Sequence, residues 1–178
     1  MFEKFKNKRI LITGNTGFKG SWLSLWLNKL DASIYGLSDR IVTEPSFFEN
    51  GVSRLVKKQY FVDINDKQLE DIINEIKPDY IFHLAAQSLV MTSYDNPLQT
   101  MLTNALGTMN LLNSVKKYED ILNVILITSD KVYENYEWTW GYRENDQLGG
   151  LDPYSASKSM AEIGIRSYIN SFFKNKSN

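Results

Sequence analysis

The sequence predicts an α/β protein built on a doubly wound parallel sheet. Short apolar segments rich in β-branched residues alternate with segments that repeat apolar residues at helical spacing. A glycine-rich turn follows the first apolar segment, and the later connections are long enough for right-handed crossovers. These observations favour a Rossmann-like sheet of about five strands in the order 3-2-1-4-5, with ligands bound at the carboxyl ends of the strands.

Each strand is assigned from a short apolar run. The predicted strands are residues 9–13, 33–38, 59–63, 80–84 and 121–128. The last of these runs is apolar enough to be buried on both faces, as in parallel sheets.

The helices are assigned from apolar spacing. In residues 17–30, Trp22, Trp26 and Leu30 lie one turn apart, with Leu23 and Leu27 beside them, which predicts a helix packed on the sheet. A second helix is predicted from four residues at helical spacing, namely Leu69, Ile72, Ile73 and Ile76. Two further helices are predicted over residues 100–117 and 155–173.

The composition is that of an ordinary globular protein and excludes several kinds of site. The 178 residues have a net charge of −1, which gives no overall field to attract nucleic acid or an anionic membrane. The absence of cysteine excludes thiolate sites, and a single histidine, His83, excludes a multi-histidine metal centre. No apolar run approaches the length of a membrane span or a signal peptide, so we expect a cytoplasmic protein without a metal.

A glycine pattern marks the turn from the first strand to the first helix. Gly14, Gly17 and Gly20 are spaced G-x-x-G-x-x-G. Glycine permits the tight turn and lets backbone N–H groups approach a pyrophosphate at the helix N-terminus. A glycine-rich turn without a ligand would show the same letters, but the position between strand and helix favours nucleotide binding.

Further candidate cofactor residues follow the later strands. Asp39, at the end of the second strand, fits the acid that binds ribose hydroxyls, whereas Arg40 could instead meet a 2′-phosphate. We favour NAD over NADP. Asp63 either contacts the adenine edge or caps the next helix. Small residues after the fourth strand would let a dinucleotide approach: Ala85 and Ala86, next to Gln87.

A tyrosine and a lysine supply candidate acid–base chemistry. Tyr154 and Lys158 are four residues apart and share a helix face. An ammonium group beside a phenol stabilises the phenolate, so the tyrosine can accept a proton from a substrate. Ser129, at the end of the fifth strand, can hold the substrate oxygen. His83 ends an apolar strand and is interpreted as a structural histidine rather than a catalyst.

Longer segments carry a resemblance to a known family. The chain resembles the extended short-chain dehydrogenase/reductase superfamily, and within it the CDP-glucose 4,6-dehydratase subfamily, in GNTGFKGSWLSLWL, EPSFFE, HLAAQ, TSDKVYEN, EWTWGYRENDQLGG and DPYSASK. The resemblance implies a tightly held NAD that carries hydride within each turnover. It also implies CDP-glucose as substrate, a 4-keto-6-deoxy sugar nucleotide as product, and a homo-oligomer of two or more subunits.

The same resemblance implies roles for individual residues. Tyr154, with Lys158 and Ser129, would deprotonate the C4 hydroxyl of glucose. Asp130 would be the acid for loss of the C6 hydroxyl. Lys131 would act at C5, either as a base or by electrostatic stabilisation, because a solvent-exposed lysine is protonated at neutral pH. The cofactor-binding set is Gly14, Thr16, Gly17, Phe18, Gly20, Asp39, Arg40, Asp63, Ile64, Leu84, Ala85, Ala86, Gln87, Asn104, Thr128, Tyr154 and Lys158.

Some alternatives stay open at the level of sequence. A sugar-nucleotide epimerase and a dinucleotide-binding module without catalysis remain, although the Asp130–Lys131 pair argues against the epimerase. Members of the family continue for about as long again. We therefore expect residues 1–178 to be the NAD-binding domain, without the substrate domain and of uncertain activity alone. Four aromatic residues either wall the sugar or nucleotide pocket or pack their loop on the core: Tyr136, Trp138, Trp140 and Tyr142.

Overall fold

A computed structural model describes residues 2–174 of the chain. These residues form two compact units, one made of residues 2–85 and 113–127, the other of residues 86–112 and 128–174. Within residues 2–174, no helix combines the length and the apolar character needed to cross a membrane.

The first unit contains a five-stranded parallel sheet in the order β3-β2-β1-β4-β5. Its strands are β1 (Arg9–Thr13), β2 (Ser33–Ser38), β3 (Val56–Phe61), β4 (Tyr80–His83) and β5 (Asn123–Leu126). In the centre, Ile12 of β1 lies opposite Gly36 of β2 and Phe82 of β4. The strand order and the fold class predicted from the sequence are confirmed.

Two helices belong to this unit, α1 (Phe18–Lys29) and α2 (Gln68–Ile76). Helix α2 buries the apolar residues that predicted it, namely Leu69, Ile72, Ile73 and Ile76. The core around β1 includes Ile10 and Ile12, which are fully buried, together with Leu27 of α1 and Ile34 of β2.

Helix α1 buries small residues rather than its tryptophans. Trp22 and Trp26 are 52% and 54% exposed, so the prediction that they belong to the packed stripe is wrong. The leucines of that prediction, Leu23, Leu27 and Leu30, do pack on the core. The buried residues of α1 are Gly20, Ser21, Ser24 and Leu27. The helix lies so close to the preceding turn that a Cβ atom on Gly20 would come within 2.6 Å of the Asn15 Cα atom. Indole rings cannot fit on that face, and Trp22 contacts Phe47 instead, with ring centroids 4.8 Å apart.

The two edge strands differ from their predicted bounds. β3 starts three residues earlier than predicted. Its first residues include the exposed Lys57 and Lys58, which an edge strand tolerates but which do not form part of an apolar run. β5 is shorter than predicted and is not buried on both faces. Its residues are half-buried or exposed because, among the described residues, only β4 pairs with it.

The second unit is mainly helical. It contains α3 (Val90–Asp95), α4 (Pro97–Met101), a π turn at Leu102–Leu106 and α6 (Pro153–Tyr168), which ends in a second π turn at Ile169–Phe173. Helix α5 (Gly107–Val115) continues directly from the first π turn. The single helix predicted over residues 100–117 is therefore interrupted. Short turns elsewhere are Phe2–Phe5, Phe48–Val52, Ser53–Leu55 and Asp130–Val132.

Candidate functional site

The first predicted glycine lies where β1 meets the chain that leaves β4. Gly14 has a φ of +71°, a conformation that residues with a side chain rarely adopt. A Cβ atom at this position would lie 2.7 Å from the Ala85 nitrogen and 2.8 Å from the Leu84 carbonyl carbon. Glycine is therefore required both by the backbone conformation and by the close approach of residues 84 and 85.

The other two predicted glycines shape the start of α1. Gly20 allows the first turn of α1 to pack on the turn at Gly14 and Asn15. Gly17 immediately precedes α1 with a φ of −75°, and a Cβ atom there would approach only the Gly14 oxygen, at 3.4 Å. No side-chain hydrogen bond caps the start of α1, and its first turn contains no acidic residue. This arrangement suits an anion at the helix N-terminus.

A buried polar network supports the turn. Asn15 is fully buried and donates to Gln59 Oε1 at 2.6 Å, while the Ser38 hydroxyl donates to Asn15 Oδ1 at 3.0 Å. A Cβ atom on Gly36 would collide with the side-chain amides of Asn15 and Gln59. The glycine turn is thus tied to β2 and β3 by residues that the sequence analysis missed. Two features of the sequence could have indicated this network: Asn15 is a polar residue inside the glycine pattern, and Gly36 is a lone glycine within β2.

Asp39 and Arg40 directly follow β2, as predicted. The Thr16 hydroxyl donates to the Arg40 carbonyl oxygen at 2.7 Å, so the backbone of Arg40 also holds the glycine turn. The Arg40 guanidinium lies 3.6 Å from the Asp39 carboxylate, and both side chains are largely exposed. An exposed pair of this kind is weak and leaves both groups available to a ligand. Phe18, the first residue of α1, is 75% exposed.

Asp63 lies two residues after the end of β3. Its carboxylate accepts a hydrogen bond from the backbone N–H of Asn65 at 2.7 Å, which stabilises a turn before α2. The alternative that Asp63 caps the next helix is wrong, because α2 begins only at Gln68. Ile64 is buried. Contact between Asp63 and an adenine edge stays a prediction.

His83 is buried and joined to β1. Its Nδ1 atom lies 2.7 Å from the Thr13 hydroxyl, which also accepts a hydrogen bond from the Ala85 N–H at 3.1 Å. The Leu84 N–H donates to the Thr13 carbonyl oxygen. These contacts fix the carboxyl ends of β1 and β4 and agree with the interpretation of His83 as a structural residue.

In the second unit, Tyr154 and Lys158 lie one turn apart near the start of α6, and each is more than nine-tenths buried. Asp152 caps this helix by accepting a hydrogen bond from the Ser155 N–H at 3.0 Å and from the Ser155 hydroxyl at 2.6 Å. Burial raises the pKa of Asp152, but the hydrogen bonds from Ser155 have the larger combined effect in the opposite direction, so the pKa lies below its ordinary value. The helix that carries the tyrosine therefore begins two residues earlier than predicted, at a charged cap.

Asn104 connects the chain after β4 to this helix. Its side chain exchanges two hydrogen bonds with the backbone of Gln87, at 2.8 and 2.9 Å, and donates to the Ser157 hydroxyl at 2.8 Å. The backbone N–H of Tyr154 donates to the Ser93 hydroxyl at 3.1 Å. Asn104 thus positions residues 86–89 and α6, and direct contact with a cofactor stays a prediction for Ala86, Gln87 and Asn104. Ser93 and Ser157 were missed because buried serines carry no periodic signal.

The Ser129–Lys131 segment forms a tight turn beside α6. Ser129 caps it by accepting a hydrogen bond from the Lys131 N–H at 3.2 Å, and its hydroxyl donates to Asp130 Oδ1 at 3.1 Å. The side chains of Asp130 and Lys131 are exposed. The Thr128 hydroxyl donates to Glu162 Oε1 at 2.6 Å, and Glu162 lies four residues after Lys158 on α6. The predicted acid, lysine and serine are therefore brought beside the helix that bears the predicted tyrosine.

The chain matches a known family over most of its length. The model of the GDP-mannose 4,6 dehydratase family matches residues 11–175. The CDP-glucose 4,6-dehydratase of Salmonella typhimurium strain LT2 is 48% identical over 170 residues, which are 95% of this chain and 47% of the relative. The chain therefore spans about half the length of the curated relatives it matches.

Solved structures show the same fold. A UDP-glucose 4-epimerase from Thermotoga maritima, solved with UDP-glucose, superposes with a TM-score of 0.81 at 25% identity, covering 92% of this chain and 52% of the other. A UDP-glucose 4-epimerase from Thermus thermophilus, solved with NAD, superposes with a TM-score of 0.79 at 27% identity, covering 92% of this chain and 51% of the other.

Proposed function

Because the chain belongs to the GDP-mannose 4,6 dehydratase family, we propose that it is the NAD-binding part of a sugar-nucleotide 4,6-dehydratase that acts on CDP-glucose. The observation that carries this proposal is the attachment of the Ser129–Lys131 turn to α6, the helix of Tyr154 and Lys158. The 48% identity to the Salmonella typhimurium enzyme supports CDP-glucose as the substrate.

The residues of the first unit fit a dinucleotide. A side chain at Gly14 would collide with Leu84 and Ala85, and one at Gly20 would collide with the turn at Gly14 and Asn15. Gly17 precedes an uncapped helix start that suits a pyrophosphate. Asp39 would bind the adenosine ribose hydroxyls at the end of β2. When bound, NAD would accept hydride from C4 of the sugar and return it to C6, so that the cofactor leaves each turnover unchanged. The NAD-bound Thermus thermophilus relative supports this cofactor.

Tyr154 would take the proton of the C4 hydroxyl while the C4–H bond breaks. Its burial, and that of Lys158 one turn away, keeps water from competing for the phenolate and strengthens the electrostatic stabilisation by the ammonium group. Ser129 would donate to the substrate oxygen, and this requires its hydroxyl to turn away from Asp130.

Asp130 and Lys131 would carry out the loss of water from C5 and C6. Oxidation at C4 makes the C5 proton acidic. Asp130 would donate a proton to the departing C6 hydroxyl. Lys131 would either remove the C5 proton itself or stabilise the enolate that forms when another base removes that proton. Both side chains are exposed and can reach a substrate. An epimerase would not need this pair, since it returns hydride to C4 without losing water.

The test grafts this chain onto a known enzyme. A chimera in which this chain replaces the matching part of the Salmonella typhimurium relative should convert CDP-glucose to a CDP-4-keto-6-deoxyglucose, detected by mass spectrometry as the loss of one water. A product of unchanged mass with inverted C4 would establish an epimerase and refute the proposal. The assembly of this chain into a dimer or larger oligomer, which we also propose, is measured by light scattering.

A further inference from the structure

Residues 133–148, here called the aromatic loop, are closed at their base like a hairpin. Tyr133 and Leu148 form an antiparallel bridge, and the Glu134 N–H donates to the Gln147 carbonyl oxygen at 2.9 Å. The Gly149 N–H donates to the Val132 carbonyl oxygen, also at 2.9 Å. The loop therefore has a fixed base.

That base is attached to the helix of the candidate catalytic residues. The Ser159 hydroxyl lies within hydrogen-bonding distance of the Val132 carbonyl oxygen, at 2.7 Å, of the Gly149 carbonyl oxygen, and of the Ser155 carbonyl oxygen, at 3.1 Å, so it contacts both ends of the loop from within α6. Ser159 is buried and directly follows Lys158 on α6. The base of the aromatic loop is thus held by the residue that follows Lys158 on α6.

Inside the loop, aromatic rings form one continuous cluster, here called the stack, in which some pairs are stacked and others are tilted. Trp138 is its centre, with ring centroids 5.2 Å from Tyr136, 5.1 Å from Trp140 and 5.2 Å from Tyr142. Tyr142 in turn stacks on Tyr133, with centroids 5.3 Å apart and planes only 6° from parallel. Such ring pairs stabilise one another by about 0.5–1.5 kcal/mol beyond the area they bury.

Hydrogen bonds hold the stack in one arrangement. The Tyr142 hydroxyl accepts from the Tyr136 N–H at 2.9 Å and donates to Asn135 Oδ1 at 3.0 Å. The Tyr136 hydroxyl donates to Gln147 Oε1 at 2.9 Å. The buried Trp138 indole N–H has no acceptor among residues 2–174, which is unfavourable for stability. The stack is therefore preorganised but not optimised for stability.

The outer rings of the stack are open to solvent. Trp140 is 60% exposed and Tyr136 is 51% exposed. A preorganised, exposed aromatic surface is typical of a ligand-binding surface, because exposure of so much apolar area has no benefit for folding.

We propose that the exposed face of Trp140 stacks on the hexosyl ring of the substrate, an inference that rests on the proposed function. The aromatic loop begins two residues after Lys131, and its base bonds to the hydroxyl of Ser159, the residue that follows Lys158 on α6, so the loop is anchored next in sequence to residues that would act on C4, C5 and C6. Glucose carries its ring hydroxyls in equatorial positions, which leaves apolar C–H faces that fit an aromatic plane. The loop then recognises the sugar rather than the nucleotide.

The test compares two ligands on the full 178-residue chain by titration calorimetry in the presence of NAD. Trp140→Ala should weaken binding of CDP-glucose about tenfold and leave the affinity for CDP within about twofold. Trp140→Phe, which keeps a ring, should retain most of the affinity. Trp26→Ala removes a tryptophan of similar exposure, 54%, on α1 and should change neither affinity.

Several results would overturn the inference. Unchanged CDP-glucose affinity in Trp140→Ala refutes the stacking, and equal losses for CDP and CDP-glucose show that the stack holds the base instead of the sugar. A Trp140→Phe variant as weak as Trp140→Ala excludes a ring-stacking role. If the wild-type chain binds CDP but not CDP-glucose, the proposed substrate is refuted together with the stacking. If the wild-type chain binds CDP-glucose and Trp140→Ala binds it equally well, only the stacking is refuted.

Discussion

Gly14→Ala and Gly17→Ala form a matched pair that separates the fold of the glycine turn from its binding. An alanine at position 14 must hold a φ of +71°, at a cost of about 1–2 kcal/mol. Its Cβ atom would also lie 2.7 Å from the Ala85 nitrogen, an overpacking that costs about 1–3 kcal/mol. The free energy of unfolding should therefore fall by about 2–5 kcal/mol, and the Tm by roughly 4–20 °C.

Gly17→Ala should leave the fold intact. Its φ of −75° suits any residue, and the added Cβ atom has only an ordinary contact of 3.4 Å with the Gly14 oxygen. The loss of glycine at a helix start and the lower entropy of the unfolded chain offset each other to within about 1 kcal/mol. The methyl group would nevertheless stand where a pyrophosphate approaches the helix N-terminus, so NAD affinity should fall about tenfold or more.

Urea unfolding followed by circular dichroism measures the free energy of unfolding, and titration calorimetry with NAD measures the affinity for the cofactor. A Gly17→Ala protein that is stable and binds NAD as tightly as the wild type would refute the placement of the pyrophosphate. A Gly14→Ala protein with wild-type stability would refute the argument from backbone strain.

Three further predictions concern the second unit. Because the pKa of Asp152 is lowered in the folded state, its carboxylate contributes stability above about pH 4, and this stability is lost as the pH falls through the folded pKa. Asp152→Ala should therefore lower the free energy of unfolding by about 0.5–2 kcal/mol at pH 7 and by progressively less in acid. A loss of stability that persists at pH 2 would contradict the cap. Thr128→Val and Glu162→Ala should each lower the free energy of unfolding by about 1.5–3 kcal/mol. The double variant should lose no more than either single variant, because both substitutions remove the same hydrogen bond. Additive losses in urea unfolding would show that the two groups are independent. In the Salmonella chimera, Asp130→Asn should still form NADH from CDP-glucose, seen as absorbance, but stall before water is lost; normal turnover would reject Asp130 as the acid.

The local patterns of the sequence were enough to predict the layout of the fold. Strand order follows from the alternation of strands and helices, because short connections and right-handed crossovers leave few topologies. The glycine turn was found because Gly14, Gly17 and Gly20 are close in sequence and serve one turn. The Tyr154–Lys158 pair was found because a helix places residues four apart on one face.

Only the tertiary structure decided the contacts that hold these parts in place. Asn15 and Gln59 are 44 residues apart, Thr13 and His83 are 70 apart, and Thr128 and Glu162 are 34 apart, so no local pattern marks them as partners. The tryptophans of α1 illustrate the same limit. Helical spacing identified the helix, but the close approach of its Gly20 face to the glycine turn decided that the indoles lie outside. Periodicity records which residues share a face, whereas packing distance determines which face is buried.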